Sequence, residues 1–210
     1  MRNAGLVLIV AAAPALAEPV TIAALGDSLT QGYGLAPEDG FVSQLDVWLN
    51  GHGASVTLIN AGVSGDTTAG GLSRIEWTLT PDVDALIVAF GGNDLLRGID
   101  PAVSRKNLDG ILSIASERGL PVLLVGMDAP ANYGPEFEAA FDRMYPDLAE
   151  KHSALLYPNF LEALSAKEDR KATLAELMQA DGIHPNAKGV ALIVEAVGPH
   201  VLELAEIARN

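Results

Sequence analysis

A chain of 210 residues that sets 13 lysines and arginines against 27 aspartates and glutamates carries a formal net charge of -14, which repels nucleic-acid phosphates and anionic membrane surfaces alike. Its 49% hydrophobic and 19% charged residues describe a folded globular chain with length enough for a sizeable core, not a disordered one. The absence of cysteine excludes disulfides, thiolate metal centres and a cysteine nucleophile.

Taken in chain order, Met1–Ala17 reads as a secretory leader. Arg2 and the amino terminus give a positive start, Gly5–Ala13 an apolar centre, and Ala15-Leu16-Ala17 a small-x-small cleavage signal that leaves Glu18 first. The segment is too short to cross a bilayer as a helix, and nothing later approaches spanning length. No stable membrane insertion is therefore expected after cleavage, and the expected location is the periplasm. The leader holds one cation, Arg2, and no acid, so its loss takes the charge from -14 to -15.

From Val20 onward, short apolar runs alternate with helical patterns. Val20–Leu25, Ser55–Asn60, Ala85–Phe90, Pro121–Gly126 and Ala154–Tyr157 read as strands. Most are apolar throughout, as strands covered on both faces are. Helices are expected over Gly40–Leu49, Thr67–Leu79, Pro101–Arg118, Pro135–Lys151, Leu161–Gln179 and Asn186–Ala208. In the third, Val103, Leu108, Ile111, Leu112 and Ile114 recur at helical spacing, with Pro101 suited to the first turn and Gly119 to the end. Gly198-Pro199 is expected to kink or split the last helix. The alternation predicts one α/β domain over residues 18–210, a three-layer α/β/α sandwich around a five-stranded parallel sheet with right-handed crossovers.

Parallel strands deliver all their carboxyl ends to one edge, where open α/β sheets gather ligands. The loops arriving there carry the chemistry. Gly26-Asp27-Ser28 follows the first strand, Ala61-Gly62-Val63-Ser64-Gly65-Asp66-Thr67 the second, and Gly91-Gly92-Asn93-Asp94 the third. Ala180-Asp181-Gly182-Ile183-His184-Pro185-Asn186 precedes the last helix and can lie at the same edge. Ser28 in such a turn serves as a nucleophile, a phosphate-binding hydroxyl or a helix cap. Asp27 reads as a turn or capping carboxylate. A carboxylate three residues before a histidine can take the ring's Nδ1–H and leave Nε2 free as a base, and Pro185 keeps His184 extended. An ordinary Asp-Gly turn explains the same residues equally well. Asn93 is either a cap or an amide donor aimed at an oxyanion. His52, His152 and His200 share no ligand spacing and read as surface residues.

Together these four blocks resemble the SGNH (GDSL-type) hydrolases, in the family's order and approximate spacing across nearly all of residues 18–210. The resemblance implies a flavodoxin-like SGNH fold with Ser28 as nucleophile and Asp181 and His184 as its partners. It implies an oxyanion hole from the Ser28 and Gly65 backbone N–H groups and the Asn93 amide. Ala129-Pro130-Ala131-Asn132-Tyr133-Gly134 resembles a loop bordering the acyl site in the thioesterase-like branch, so Ala129, Pro130 and Ile183 are implied as pocket walls. Thioesterase-active relatives tend to carry a basic residue where Asp128 stands, which disfavours anionic acyl-CoA. The implied activity is hydrolysis of aryl or short-to-medium acyl esters, lysophospholipids or thioesters, with a small ester or acyl-chain substrate and no metal or organic cofactor. The Gly-x-Ser-x-Gly elbow of α/β-hydrolases is absent, since Thr30 occupies its last position.

Carbohydrate O-deacetylation is an alternative chemistry for the same site. A flavodoxin-like phosphate- or FMN-binding edge is a second reading of Gly26–Gly32. It places the charge of Asp27 inside the phosphate cradle and leaves the Asp181–His184 pair without a use. A non-catalytic carbohydrate-binding relative is a third, and the presence of every implied catalytic residue weighs against it.

Overall fold

In the computed structural model, residues 18–165 and 170–210 are described, so the expected leader lies outside them. The chain runs β1 (Val20–Gly26), α1 (Ser28–Gln31), α2 (Phe41–Gly51), β2 (Val56–Gly62), α3 (Thr68–Thr78), β3 (Ala85–Ala89) and α4 (Gly92–Leu96). It continues through α5 (Pro101–Glu117), β4 (Val122–Val125), α6 (Pro135–His152), β5 (Leu155–Tyr157), α7 (Glu162–Ser165), α8 (Arg170–Leu177) and α9 (Ala187–Ala208).

The five strands pair in parallel in the order β2-β1-β3-β4-β5, so the α/β fold expected of the alternating pattern is the one that forms. β1 lies inside the sheet, between β2 and β3, and its side chains are buried on both faces, with Ile22 and Ala24 in one core and Ala23 and Leu25 in the other. The first core packs the sheet against α2 and α9 through Phe41, Leu45, Val194, Val197 and Val201. The second packs it against α3, α5 and α6 through Ile75, Leu108, Ile111, Phe141 and Leu148. Each such buried aliphatic or aromatic side chain contributes about 1.5–3 kcal/mol of transfer free energy.

Register decides where the loops meet. Gly26 aligns with Gly62 of β2 on one side and with Ala89 of β3 on the other. The loops after β1, β2 and β3 therefore emerge side by side, at the switch point where the sheet is wound in opposite directions. α1 starts one residue beyond β1 and presses so close that a Cβ on Gly26 would stand 2.1 Å from Thr30 Oγ1 and 2.8 Å from the Ala89 carbonyl oxygen. Only glycine fits that corner.

Gly198-Pro199 does not split the last helix, which runs unbroken from Ala187 to Ala208. Val194, Val197, Val201 and Leu204 hold its inner face in the core on both sides of the proline. Pro199 and Glu195, whose carbonyl loses its intrahelical partner, both lie on the exposed face of the helix. A Cβ on Gly198 would meet the Trp48 ring at 2.6 Å, so this glycine sets how closely α9 approaches α2. Within the helical region expected over Leu161–Gln179, the described residues form α7 and α8, and Met178 bridges antiparallel to Pro185. Among the described residues no helix is long and apolar enough to cross a membrane.

Candidate active site

Ser28 is the first residue of α1, and Asp27 caps that helix, its Oδ1 accepting the Leu29 N–H at 3.0 Å. Heading a helix leaves the Ser28 N–H without an intrahelical partner, and it donates to no other described residue. Across the cleft, His184 Nδ1 donates to Asp181 Oδ2 at 2.6 Å, while His184 Nε2 stands 2.9 Å from Ser28 Oγ. An ionised carboxylate only accepts, so the proton sits on Nδ1 and Nε2 accepts from the serine hydroxyl. The Tyr33 ring lies against the imidazole with centroids 4.8 Å apart.

Asp181 shapes its own turn. Its Oδ1 accepts the backbone N–H groups of Ile183 at 2.9 Å and His184 at 3.0 Å. The hydrogen bond from the His184 ring, then those from the His184 and Ile183 backbones, bring its pKa down to about 2. Asp27 is the opposite case. It is 2% exposed, and burial pushes its pKa up to about 6 against the opposing hydrogen bonds from Leu29 and Asn93.

Asn93 lies within α4, not at its cap, and its Nδ2 donates to Asp27 Oδ2 at 3.3 Å. A carboxamide nitrogen carries two hydrogens, so one remains for a group in the cleft. Gly65 turns through a left-handed φ of 84°. Arg97 donates to its carbonyl at 2.7 Å, and the Gly65 N–H is bonded to no other described residue. Ser28, Gly65, Asn93, Asp181 and His184, which the sequence offers as separate candidates, thus border one cavity of about 470 Å³. Its remaining walls are mainly apolar: Leu29, Leu95, Leu96, Met127, Leu161 and Tyr133 besides the expected Pro130 and Ile183.

Ala129 is a correction. It is 6% exposed and packs in the core beneath α6. Its N–H is held by Asp142 at 2.8 Å, which turns the residue inward. The next residues, Pro130 and Tyr133, reach the cavity instead, and the Tyr133 hydroxyl ties them to the Leu95 carbonyl. His152 is not a surface residue either: its side chain is 11% exposed and meets Asp109 at 2.6 Å. His200 is half-buried with its ring edge on Tyr157 at 5.2 Å, while His52 is exposed. Among the described residues no group of three or more His, Asp or Glu side chains is arranged to hold a metal ion.

Arg74 is a residue that motif reading passes over. From α3 its guanidinium donates to Asp66 at 2.7 Å, to the Ala61 carbonyl at 2.7 Å and to the Gly26 carbonyl at 2.9 Å. It also lies 5.8 Å from the Phe90 ring centre. One side chain thus joins the ends of β1 and β2 to the Gly65 loop. Asp94 does similar work below, accepting from the Thr68 N–H at 2.9 Å, the Thr68 hydroxyl at 2.6 Å and the Ser104 hydroxyl at 2.7 Å. Arg74 has no sequence signal, and the block Gly91–Asp94 names Asp94 without its partners, because each bond depends on which helix lies beside which loop.

The chain is similar to known proteins along most of its length. Residues 24–192 match the model of the GDSL-like lipase/acylhydrolase family. The chain is 38% identical over 180 residues to the esterase TesA of Pseudomonas aeruginosa, covering 85% of this chain and 86% of that one. It is 37% identical over 182 residues to an arylesterase of Vibrio mimicus, with 85% and 86% covered. Among solved structures, AlinE4, an SGNH-hydrolase family esterase, superposes with a TM-score of 0.73 at 46% identity, over 90% of this chain and 98% of the other.

Proposed function

The chain belongs to the GDSL-like lipase/acylhydrolase family and hydrolyses ester bonds, and from that premise we propose that it does so through an acyl-enzyme on Ser28. The observation that carries the reading is the unbroken relay from Asp181 through the imidazole to Ser28 Oγ, with spans of 2.6 and 2.9 Å. Ser28 Oγ attacks the ester carbonyl as His184 Nε2 takes its proton. Asp181 keeps the ring in the Nδ1–H tautomer and stabilises the imidazolium that forms. The tetrahedral oxyanion is met by the Ser28 and Gly65 N–H groups and by the free hydrogen of the Asn93 amide, donors already fixed before reaction. His184 returns its proton to the departing alkoxide or phenoxide, and water repeats the sequence to release the acid.

The apolar walls favour an acyl chain or an aryl group over a sugar, which needs polar partners for its hydroxyls. Asp128, exposed beside Met127 and bonded to Asn159 Nδ2 at 2.7 Å, adds negative charge near the cleft and disfavours anionic leaving groups. The preferred substrates are therefore uncharged aryl and short-to-medium acyl esters. Labelling with a fluorophosphonate tests the reading: the intact protein is labelled at Ser28, and Ser28→Ala loses both labelling and hydrolysis of p-nitrophenyl esters, a fall of roughly 10⁴-fold or more. Labelling at another residue, or activity retained without Ser28, overturns it. The leader pattern of Met1–Ala17 supports export to the periplasm, and a mature protein whose N-terminal sequence begins at Glu18 is the expected outcome in the producing cell.

A further inference from the structure

Ser28 and His184 lie 156 positions apart in the chain. The hydrogen bonds of Asp181 are local: they shape the turn but do not attach it to the nucleophile. Something else must fix the gap across which the proton moves.

Only one other hydrogen bond between described residues joins the turn 178–185 to the stretch 28–34. Gln179 Nε2 donates to the Tyr33 carbonyl at 2.8 Å. The same nitrogen donates to the Pro185 carbonyl at 3.0 Å, and the Gln179 backbone N–H to the His184 carbonyl at 2.8 Å. On the far side, the Tyr33 N–H is bonded to the Ser28 carbonyl at 3.1 Å. A closed ring results: Ser28 to Tyr33, Tyr33 to Gln179, Gln179 to the chain at His184 and Pro185, and the imidazole back to Ser28. Both hydrogens of the carboxamide are committed to this ring. Gly34 leaves space for it, since a Cβ there would stand 2.2 Å from Gln179 Oε1. The Tyr33 ring, carried by the residue that Gln179 holds, flanks the imidazole.

We propose that Gln179 is a positioning residue that sets the distance and angle between His184 Nε2 and Ser28 Oγ. It touches neither substrate nor reacting atoms, and it acts through the base. The proposal rests on His184 being that base.

The test is a double-mutant cycle on p-nitrophenyl ester hydrolysis, using Gln179→Ala, His184→Ala and the pair in the full mature chain. Gln179→Ala is expected to lower kcat about 10- to 100-fold with KM changed less than about twofold. Fluorophosphonate labelling slows in proportion but still reaches every molecule, which shows that the protein is folded. In the His184→Ala background the same substitution changes the residual rate by less than about twofold, because the group it positions is gone. Gln179→Glu, which offers no donor, falls at least as far as Gln179→Ala. Should Gln179→Ala not fold, Gln179→Met keeps the length without the donors and carries the same cycle. An unchanged kcat, a change confined to KM, or an equal loss in both backgrounds overturns the positioning role. Full activity of His184→Ala alone overturns instead the proposed mechanism, so the two failures are told apart.

Discussion

Asp27 and Asp181 flank the same reacting groups from opposite sides, in surroundings that have little in common. Asp27 sits just past the end of β1, 2% exposed, and burial raises its pKa to about 6. The side chain of Asp181 is 37% exposed on a surface turn, and hydrogen bonds from His184 and Ile183 lower its pKa to about 2. The strand-end half of the site is held by packing: Gly26 has no space for a side chain, Arg74 and Asp94 pin the loops, and two cores lie beneath. The turn half is held by hydrogen bonds between groups that water can reach. Desolvation dominates one carboxylate and hydrogen bonding the other. The two halves should therefore fail differently when perturbed.

The largest effect is expected on the exposed side. Asp181→Asn leaves the turn an acceptor but removes the charge facing the imidazolium, and kcat is expected to fall by roughly 10³–10⁴-fold. Steady-state kinetics with melting temperatures check this, and a loss explained by unfolding would erase the contrast between the halves. On the buried side, Asn93→Ala removes one oxyanion donor and should lower kcat by about 10²–10³-fold with little change in KM. A loss under fivefold would mean that the Ser28 and Gly65 N–H groups suffice.

The smallest effect concerns stability, and pH exposes it. The folded pKa of Asp27 is raised above 3.8 to about 6. Its stabilising contribution is therefore full below about pH 4 and drains away as pH rises through 6, by about 3 kcal/mol in all. Asp27→Asn does not titrate, so the variant should gain on the wild type between pH 4 and 7 in urea unfolding. A gap that stays flat across that range would contradict the burial effect. Asp181 runs the other way: with a lowered folded pKa, its stabilising contribution is present above about pH 4 and lost as pH falls towards 2.

Much of the fold was legible along the chain. Both-face burial left β3 apolar throughout and β1 apolar but for Thr21, and their boundaries came within a residue of the strands that form. The short helices α1 and α4 gave no periodicity to detect, since a single turn does not repeat. Of the kink or split expected at Pro199, the split does not occur, because the missing N–H was outweighed by apolar contacts on the opposite face of the same helix. Ala129 misled for a related reason: the loop motif located the right segment, but which of its side chains points inward depends on Asp142, on another element.

The sequence by itself determined the alternation of strands and helices, the glycines that permit close corners, and the reactive residue types at strand ends, since these follow from local sterics and burial. Tertiary structure alone decided how these parts meet. It brought His184 within 2.9 Å of Ser28, buried Asp27 beside Asn93, fanned Arg74 across two strand ends and one loop and set Gln179 across the cleft. Those relations depend on strand order and register, which place residues far apart in the chain within hydrogen-bonding reach, and no local pattern encodes a distance of that kind.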